Sequence, residues 1–137
     1  MIFIPVSSIK ATIHADISRV WNVVTDVGRY CTWRSDLSRV EARGERRFAE
    51  FTRGGYATHF TVTVCVPESR WELDMYNTNI CGHWVGEFRA SGGETEVVFT
   101  EDVTARKLLI RPFVRGYLRR QQARFIADLK AYLERSI

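Results

Sequence analysis

Residues 7–28 read SSIKATIHADISRVWNVVTDVG, and a change of period inside this stretch decides the fold. Residues 7–14 nearly alternate and are rich in β-branched side chains, which predicts a strand. From Asp16 the spacing lengthens. Ile17, Val20, Trp21, Val24 and Val27 recur at three- and four-residue steps, so Asp16 is expected to cap a helix that ends before Gly28. Residues 29–33 add a turn or second small helix. Beyond Asp36 the period returns to two, predicting strands at 37–42, 47–52, 56–66, 70–77, 81–91 and 94–105. Gly92-Gly93 is the strongest two-residue hairpin signal among their connections. Pro112 then opens a last helix running to about Arg135. This order predicts an α+β fold in which a seven-stranded, curved antiparallel sheet wraps a long C-terminal helix, with two short helices after the first strand. A sheet bent around a helix does not close fully, so a cavity between them is expected. No repeat or linker divides the chain, and residues 1–137 are read as one domain.

With 137 residues, 45% of them hydrophobic and 26% charged, the composition is that of a folded globular chain and not a disordered one. No uncharged apolar run reaches the roughly 18 to 20 residues that cross a bilayer, and the opening residues 1–6 lack the basic segment of a secretory signal. The expectation is a soluble cytoplasmic protein without stable membrane insertion. Cys31, Cys65 and Cys81 are odd in number and have no CxxC spacing, which argues against disulfides and a zinc ribbon and for small buried hydrophobes.

Charge is unevenly placed. Through residue 105 there are 11 basic and 14 acidic residues; beyond it there are 9 basic and 2 acidic. The basic excess therefore belongs to the last helix and its approach. Val114, Leu118, Phe125, Leu129 and Tyr132 form its apolar stripe, with Arg120, Arg124 and Arg135 away from it. Because the Arg residues spread around the helix and its aromatics are expected to face the core, a solvated face is read rather than a nucleic-acid or membrane-surface platform. Gln121 and Gln122 interrupt the stripe, and an amide buried there needs a partner, water or a ligand.

Residues 13–33, IHADISRVWNVVTDVGRYCTW, resemble the opening motif of the START-like (SRPBCC) superfamily, in which a helix with a Val-Trp pair leads to an Asp and then a Tyr/Trp pair. Residues 82–88, the Gly92-Gly93 turn and residues 95–102 resemble the last hairpin of its polyketide cyclase/dehydrase branch; residues 109–133 are similar to that branch's closing helix. The resemblance implies a helix-grip fold whose cavity holds a hydrophobic ligand such as a lipid, sterol or polyketide. A few members catalyse cyclisation or dehydration. No short catalytic motif defines the branch, so no residue inherits a catalytic role from it.

The alternation itself nominates site residues. In 81–91 the apolar face is Gly82, Trp84, Gly86, Phe88 and Ala90; in the next strand it is Val97, Phe99, Glu101 and Val103. Glu101 is thus a carboxylate on a dry face, where desolvation raises its pKa and makes it a candidate general acid or base. The competing reading is a bulge that turns it to solvent at the rim. Tyr56, Thr58, Phe60, Val62 and Val64, then Trp71, Leu73, Met75 and Asn77, supply two further inward rows. The candidate ligand-binding set is Tyr56, Phe60, Trp71, Met75, Trp84, Phe88, Phe99, Gln121, Gln122 and Phe125, with ordinary core packing as the alternative for each. Glu101 and the Gln121/Gln122 pair are expected to approach one cavity from opposite walls.

His14, His59 and His83 share no spacing, so no metal site is expected, and there is neither a phosphate-binding Gly loop nor a nucleophile elbow. No cofactor is expected. Three functions remain open: binding of a small hydrophobic ligand, lipid or aromatic polyketide-like; a polyketide cyclase or dehydratase in the same cavity; and a protein-interaction module of the co-chaperone or ribosome-associated type. A polar cluster deep in the cavity favours the enzyme, polar groups only at the mouth favour the carrier, and a filled cavity favours the interaction module. The expected partner is a hydrophobic small molecule and not nucleic acid; a homodimer is left open.

Overall fold

The computed structural model describes residues 6–134. The expected helix end at Arg135, and all but Val6 of the opening segment weighed as a signal, lie outside them. In chain order the elements are β1 (Val6–Ile13), α1 (Ile17–Thr25), a 3-10 segment (Val27–Thr32), β2 (Leu37–Ala42), β3 (Arg47–Thr52), β4 (Ala57–Val66), β5 (Arg70–Tyr76), β6 (Ile80–Ser91), β7 (Glu94–Ala105), a second 3-10 segment (Leu108–Phe113) and α2 (Val114–Glu134). The strands form one antiparallel sheet of order β1-β7-β6-β5-β4-β3-β2, so the fold is the expected helix grip.

Local chemistry sets these boundaries. The Asp16 carboxylate accepts from the Ser18 amide at 3.0 Å and starts α1, whose buried face is Val20, Trp21 and Val24. Trp21 meets the Phe88 ring edge-on at 5.0 Å and so ties α1 to β6. Gly92 and Gly93, at φ 57° and 86°, close the β6–β7 hairpin, a conformation that side chains with a Cβ rarely adopt. From there β6 and β7 pair one-for-one from Ser91–Glu94 to Ile80–Ala105, with no bulge.

The 21 residues of α2 span ~32 Å at 1.5 Å each, enough to cross the sheet. Two apolar clusters hold it. One joins Leu129 and Leu133 to α1, Phe88 and Phe99; the other joins Val114 and Leu118 to Met75, Ile80 and Val103. Phe60 and Trp84 touch both.

Three expectations are corrected. Cys31, Cys65 and Cys81 are exposed free thiols; Cys81 alternates with the inward Gly82 and Trp84, and Cys65 lies past a bulge near the end of β4. That bulge, between Val62 and Val64, pairs Val64 with Glu72 instead of leaving it in the inward row. Phe113 and Tyr117 are not core residues, 70% and 42% exposed: Phe113 ends the second 3-10 segment, and Tyr117 stands at the cavity between the buried Val114 and Leu118 of α2.

Candidate functional site

Between the sheet and α2 lies a cavity of about 120 Å³. Its floor is Phe60 from β4, Trp71, Leu73 and Met75 from β5, Trp84 from β6 and Phe99 from β7; α2 contributes Leu118, Gln121 and Phe125. Gly86 shapes the floor: a Cβ there would lie 2.5 Å from the Trp84 indole. Lacking one, it lets the indole lie along β6, 5.0 Å from Phe99. Phe125 closes over Phe99 at 5.5 Å, ring edge to ring face.

One end of this aromatic chamber is charged. Arg34, which follows the first 3-10 segment, donates from Nη2 to Asp36 Oδ2 at 2.9 Å, from Nε to Asp36 Oδ1 at 3.3 Å and from Nη1 to Glu50 Oε2 at 2.9 Å. Its side chain is 10% exposed, and its guanidinium sits 5.0 Å from the centroids of both Tyr30 and Phe125. Planar donors held by two carboxylates and packed over two rings satisfy a cation that burial would otherwise penalise. Tyr30 anchors the arrangement by donating its hydroxyl to the Val24 carbonyl. Glu50 reaches the chamber because Phe48, Glu50 and Thr52 share one face of β3. Burial pushes its carboxyl above the usual range, and the Arg34 cation pulls back only part of the way.

Glu101 stands on the β7 wall, paired across the sheet with Trp84 and Ser7. Burial, reinforced by the Glu50 charge and partly offset by Arg34 and the Gln122 amide, pushes its pKa up to about 7. At neutral pH this carboxyl is therefore shared between its acid and base forms. Opposite, Gln121 Nε2 donates to the Tyr117 hydroxyl at 3.1 Å, and burial raises the Tyr117 pKa, keeping the phenol a proton donor. Beyond Tyr117 an outer chamber of about 380 Å³, bounded by Ile110, Phe113, Val114 and Arg120, shares Asn77, Ile80 and Tyr117 with the inner one.

The structure brings Glu101, Phe60, Trp71, Met75, Trp84, Phe99, Gln121 and Phe125 to the same cavity. Three candidates stand elsewhere. Tyr56 precedes β4, borders the outer chamber and bonds the Thr78 hydroxyl at 2.9 Å. Phe88 is core, between Trp21 and Phe99. Gln122 is buried but committed: it accepts from Ser7 Oγ at 2.8 Å and donates to the Ser7 carbonyl at 2.9 Å and the Phe99 carbonyl at 3.3 Å, clamping α2 to β1 and β7. Arg34, Asp36, Glu50 and Tyr117 were not singled out from sequence. The alternation that placed Glu101 inward also places Glu50 inward behind Phe48, whereas Arg34 and Asp36 lie in a connection with no period to read. Of the histidines, His83 is on the outer face between Glu72 and Asp74, at 2.7 and 2.6 Å. Among the described residues no three His, Cys, Asp or Glu side chains converge to hold a metal ion.

Solved structures of very different sequence share this architecture. A START superfamily protein from Mycobacterium smegmatis superposes with a TM-score of 0.86 at 10% identity, over 96% of this chain and 99% of that one. A conserved protein from Geobacillus kaustophilus gives 0.81 at 12% identity over 96% of each chain. The ZhuI aromatase/cyclase from a Streptomyces species gives 0.77 at 17% identity, over 97% of this chain and 95% of that one. No curated protein sequence is similar enough to count as a match. At these identities the superpositions show the fold alone, but the sequence from residue 6 to 134 matches a family described as polyketide cyclase / dehydrase and lipid transport. The chain belongs to that family.

Proposed function

We propose that the chain binds a small oxygenated ring compound of aromatic or polyketide-like type, with a ring in the inner chamber and the rest of the molecule in the outer one. The observation carrying this reading is a proton-sharing carboxyl, Glu101, set in an aromatic chamber beside an immobilised Arg34. Size supports it. An engineered apolar cavity of ~150 Å³ accepts benzene, whereas pockets for drug-sized ligands run ~300–1,000 Å³. The inner chamber, about 120 Å³, suits one ring and is too small for a whole acyl chain. Glu101 in its acid form donates to a ligand carbonyl or hydroxyl, and the neutral Tyr117 phenol offers a second donor.

The depth of the polar cluster favours a second reading, a cyclase or dehydratase. Here the Glu101 carboxylate removes a proton from the carbon next to a ligand carbonyl, Tyr117 hydrogen-bonds the enolate oxygen, and the Glu101 acid returns that proton to a departing hydroxyl, which leaves as water. The test for binding is an environment-sensitive apolar dye, displaced by phenolic and aromatic polyketide ligands. Absence of saturable displacement below the unfolding transition would remove both readings. Glu101→Gln keeps the shape and removes the titrating proton: in the enzyme it abolishes turnover while affinity survives, and in a carrier it changes only ligand preference and its dependence on pH near 7.

A further inference from the structure

Ten residues from Arg106 to Arg115 combine two properties that rarely share a water-facing surface. Leu108, Leu109 and Phe113 are 72%, 88% and 70% exposed, all on the second 3-10 segment. Around them the chain carries Arg106, Lys107, Arg111 and Arg115, then Arg119, Arg120 and Arg124, with no acid between Asp102 and Asp128. Single exposed apolar residues need no explanation, but three large ones on one short segment flanked in sequence by cations do. The segment is held in place: Arg106 donates from Nη1 to the Asn77 carbonyl at 2.9 Å, and Ile110 packs beneath against the α2–β7 cluster. It also borders the outer chamber, which Ile110 and Phe113 line.

We propose that the second 3-10 segment and the first turns of α2 are a docking surface for an anionic phospholipid membrane, into which Leu108 and Leu109 dip while the surrounding bases meet lipid phosphates. Charge decides the occupant. A second copy of the chain would bring the same basic surface against itself, and a nucleic acid would use the bases while leaving the leucines in water. An anionic bilayer takes both, since apolar side chains reach the acyl boundary as cations sit among the headgroups. This is peripheral docking; no helix among the described residues is long and apolar enough to cross a membrane. The surface stands on its own exposure and charge. Its use, passing the oxygenated ring compound between bilayer and outer chamber, rests on the reading of the cavity above.

Co-sedimentation with vesicles tests it, using phosphatidylcholine alone and phosphatidylcholine mixed with phosphatidylglycerol in equal parts. Wild-type protein is expected to sediment with the anionic vesicles, less so as salt rises, and not with the neutral ones. Replacing each of Leu108 and Leu109 by Ser should weaken this about tenfold per residue, and replacing each of Lys107 and Arg111 by Gln about fivefold per charge. All four side chains lie outside both chambers, so dye binding in the cavity and thermal stability should hold in every variant. Failure to sediment with anionic vesicles, or sedimentation unchanged by the leucine substitutions, overturns the proposal. So does a dimer dissolved by those substitutions, or binding to nucleic acid in place of vesicles. The vesicle readout uses no cavity ligand, so loss of dye binding in the wild-type protein would count against the ligand reading alone.

Discussion

Glu101 permits the sharpest test because its environment makes a signed, pH-dependent claim. Unfolded, the carboxyl ionises near its ordinary 4.5; folded, burial and the Glu50 charge move it to about 7. Below the ordinary value both states keep the proton and the group has no net effect. As pH rises the unfolded chain releases its proton first, so stability falls by about 1.36 kcal/mol per pH unit until the folded carboxyl also ionises. Above that the deficit is constant at about 3 to 4 kcal/mol, the distance from 4.5 to about 7 converted at that rate. Gln has the same outline and no proton to lose. Glu101→Gln should therefore match the wild type near the ordinary carboxyl pKa of 4.5 and be more stable by about 3 to 4 kcal/mol two pH units above 7, roughly 10 to 14 °C in Tm for a domain of this size. Urea titrations followed by tryptophan fluorescence at the two pH values read the difference directly. A stability gap independent of pH, or a variant less stable at the alkaline end, would refute the placement of this carboxyl in a dry, negatively charged chamber.

Trp21→Ala removes the ring packed on Phe88 and should cost ~3 to 5 kcal/mol in a denaturant titration; a loss below about 1 kcal/mol would contradict the packing of α1. Arg34→Met leaves Asp36 and Glu50 facing each other without their cation and should cost ~3 to 5 kcal/mol at neutral pH, part of which Glu50→Gln restores in the double variant. Gln122→Leu strands the Ser7 and Phe99 carbonyls; a loss of ~1 to 3 kcal/mol is expected, together with faster amide exchange in β1. For His83, burial opposes charging, but hydrogen bonds to Glu72 and Asp74 win and raise its pKa above 6.5. Its stabilisation is complete below 6.5 and lost as pH rises through the higher folded value, so His83→Gln should flatten the stability profile just above 6.5 and leave the alkaline end unchanged.

How far sequence reaches into this molecule follows from what each residue's neighbours encode. The bounds expected for β2, β3 and β7 coincide with those observed, because period-two runs closed by Gly44, Gly54-Gly55 and Gly92-Gly93 are local signals. The inward orientation of Glu101 was likewise readable, since Val97, Phe99 and Val103 hold an unbroken register around it. Val64 was not, because a bulge inserts one residue without changing composition. The charged end of the chamber escaped for a different reason. Arg34 and Asp36 are two residues apart in a connection and Glu50 is on another strand, so their meeting exists only once β2 and β3 pair. Gln122 shows the same limit: its position in an apolar stripe announced a partner, but Ser7 lies 115 residues away in sequence.

That charged end also bears on the ligand proposed above. Buried ion pairs add little to stability, and apolar side chains of equal volume often do as well or better. Phe60, Trp71, Leu73 and Met75 already line the neighbouring floor, so packing alone would be served by extending them. The chain instead places Arg34 against Asp36 and Glu50 and adds a third carboxyl, Glu101, leaving acid in excess of base at the inner end. The rim reverses the sign, with Arg120 lining the outer chamber and no acid between Asp102 and Asp128 in sequence. In the proposed complex an anionic group on the ligand is repelled by the acidic inner end and drawn to the rim, while a neutral carbonyl or hydroxyl meets a carboxyl that holds its proton up to about pH 7. On the proposed reading, the ligand consistent with both fields is bipolar, entering with its uncharged oxygenated ring first and leaving any acidic end beside Arg120.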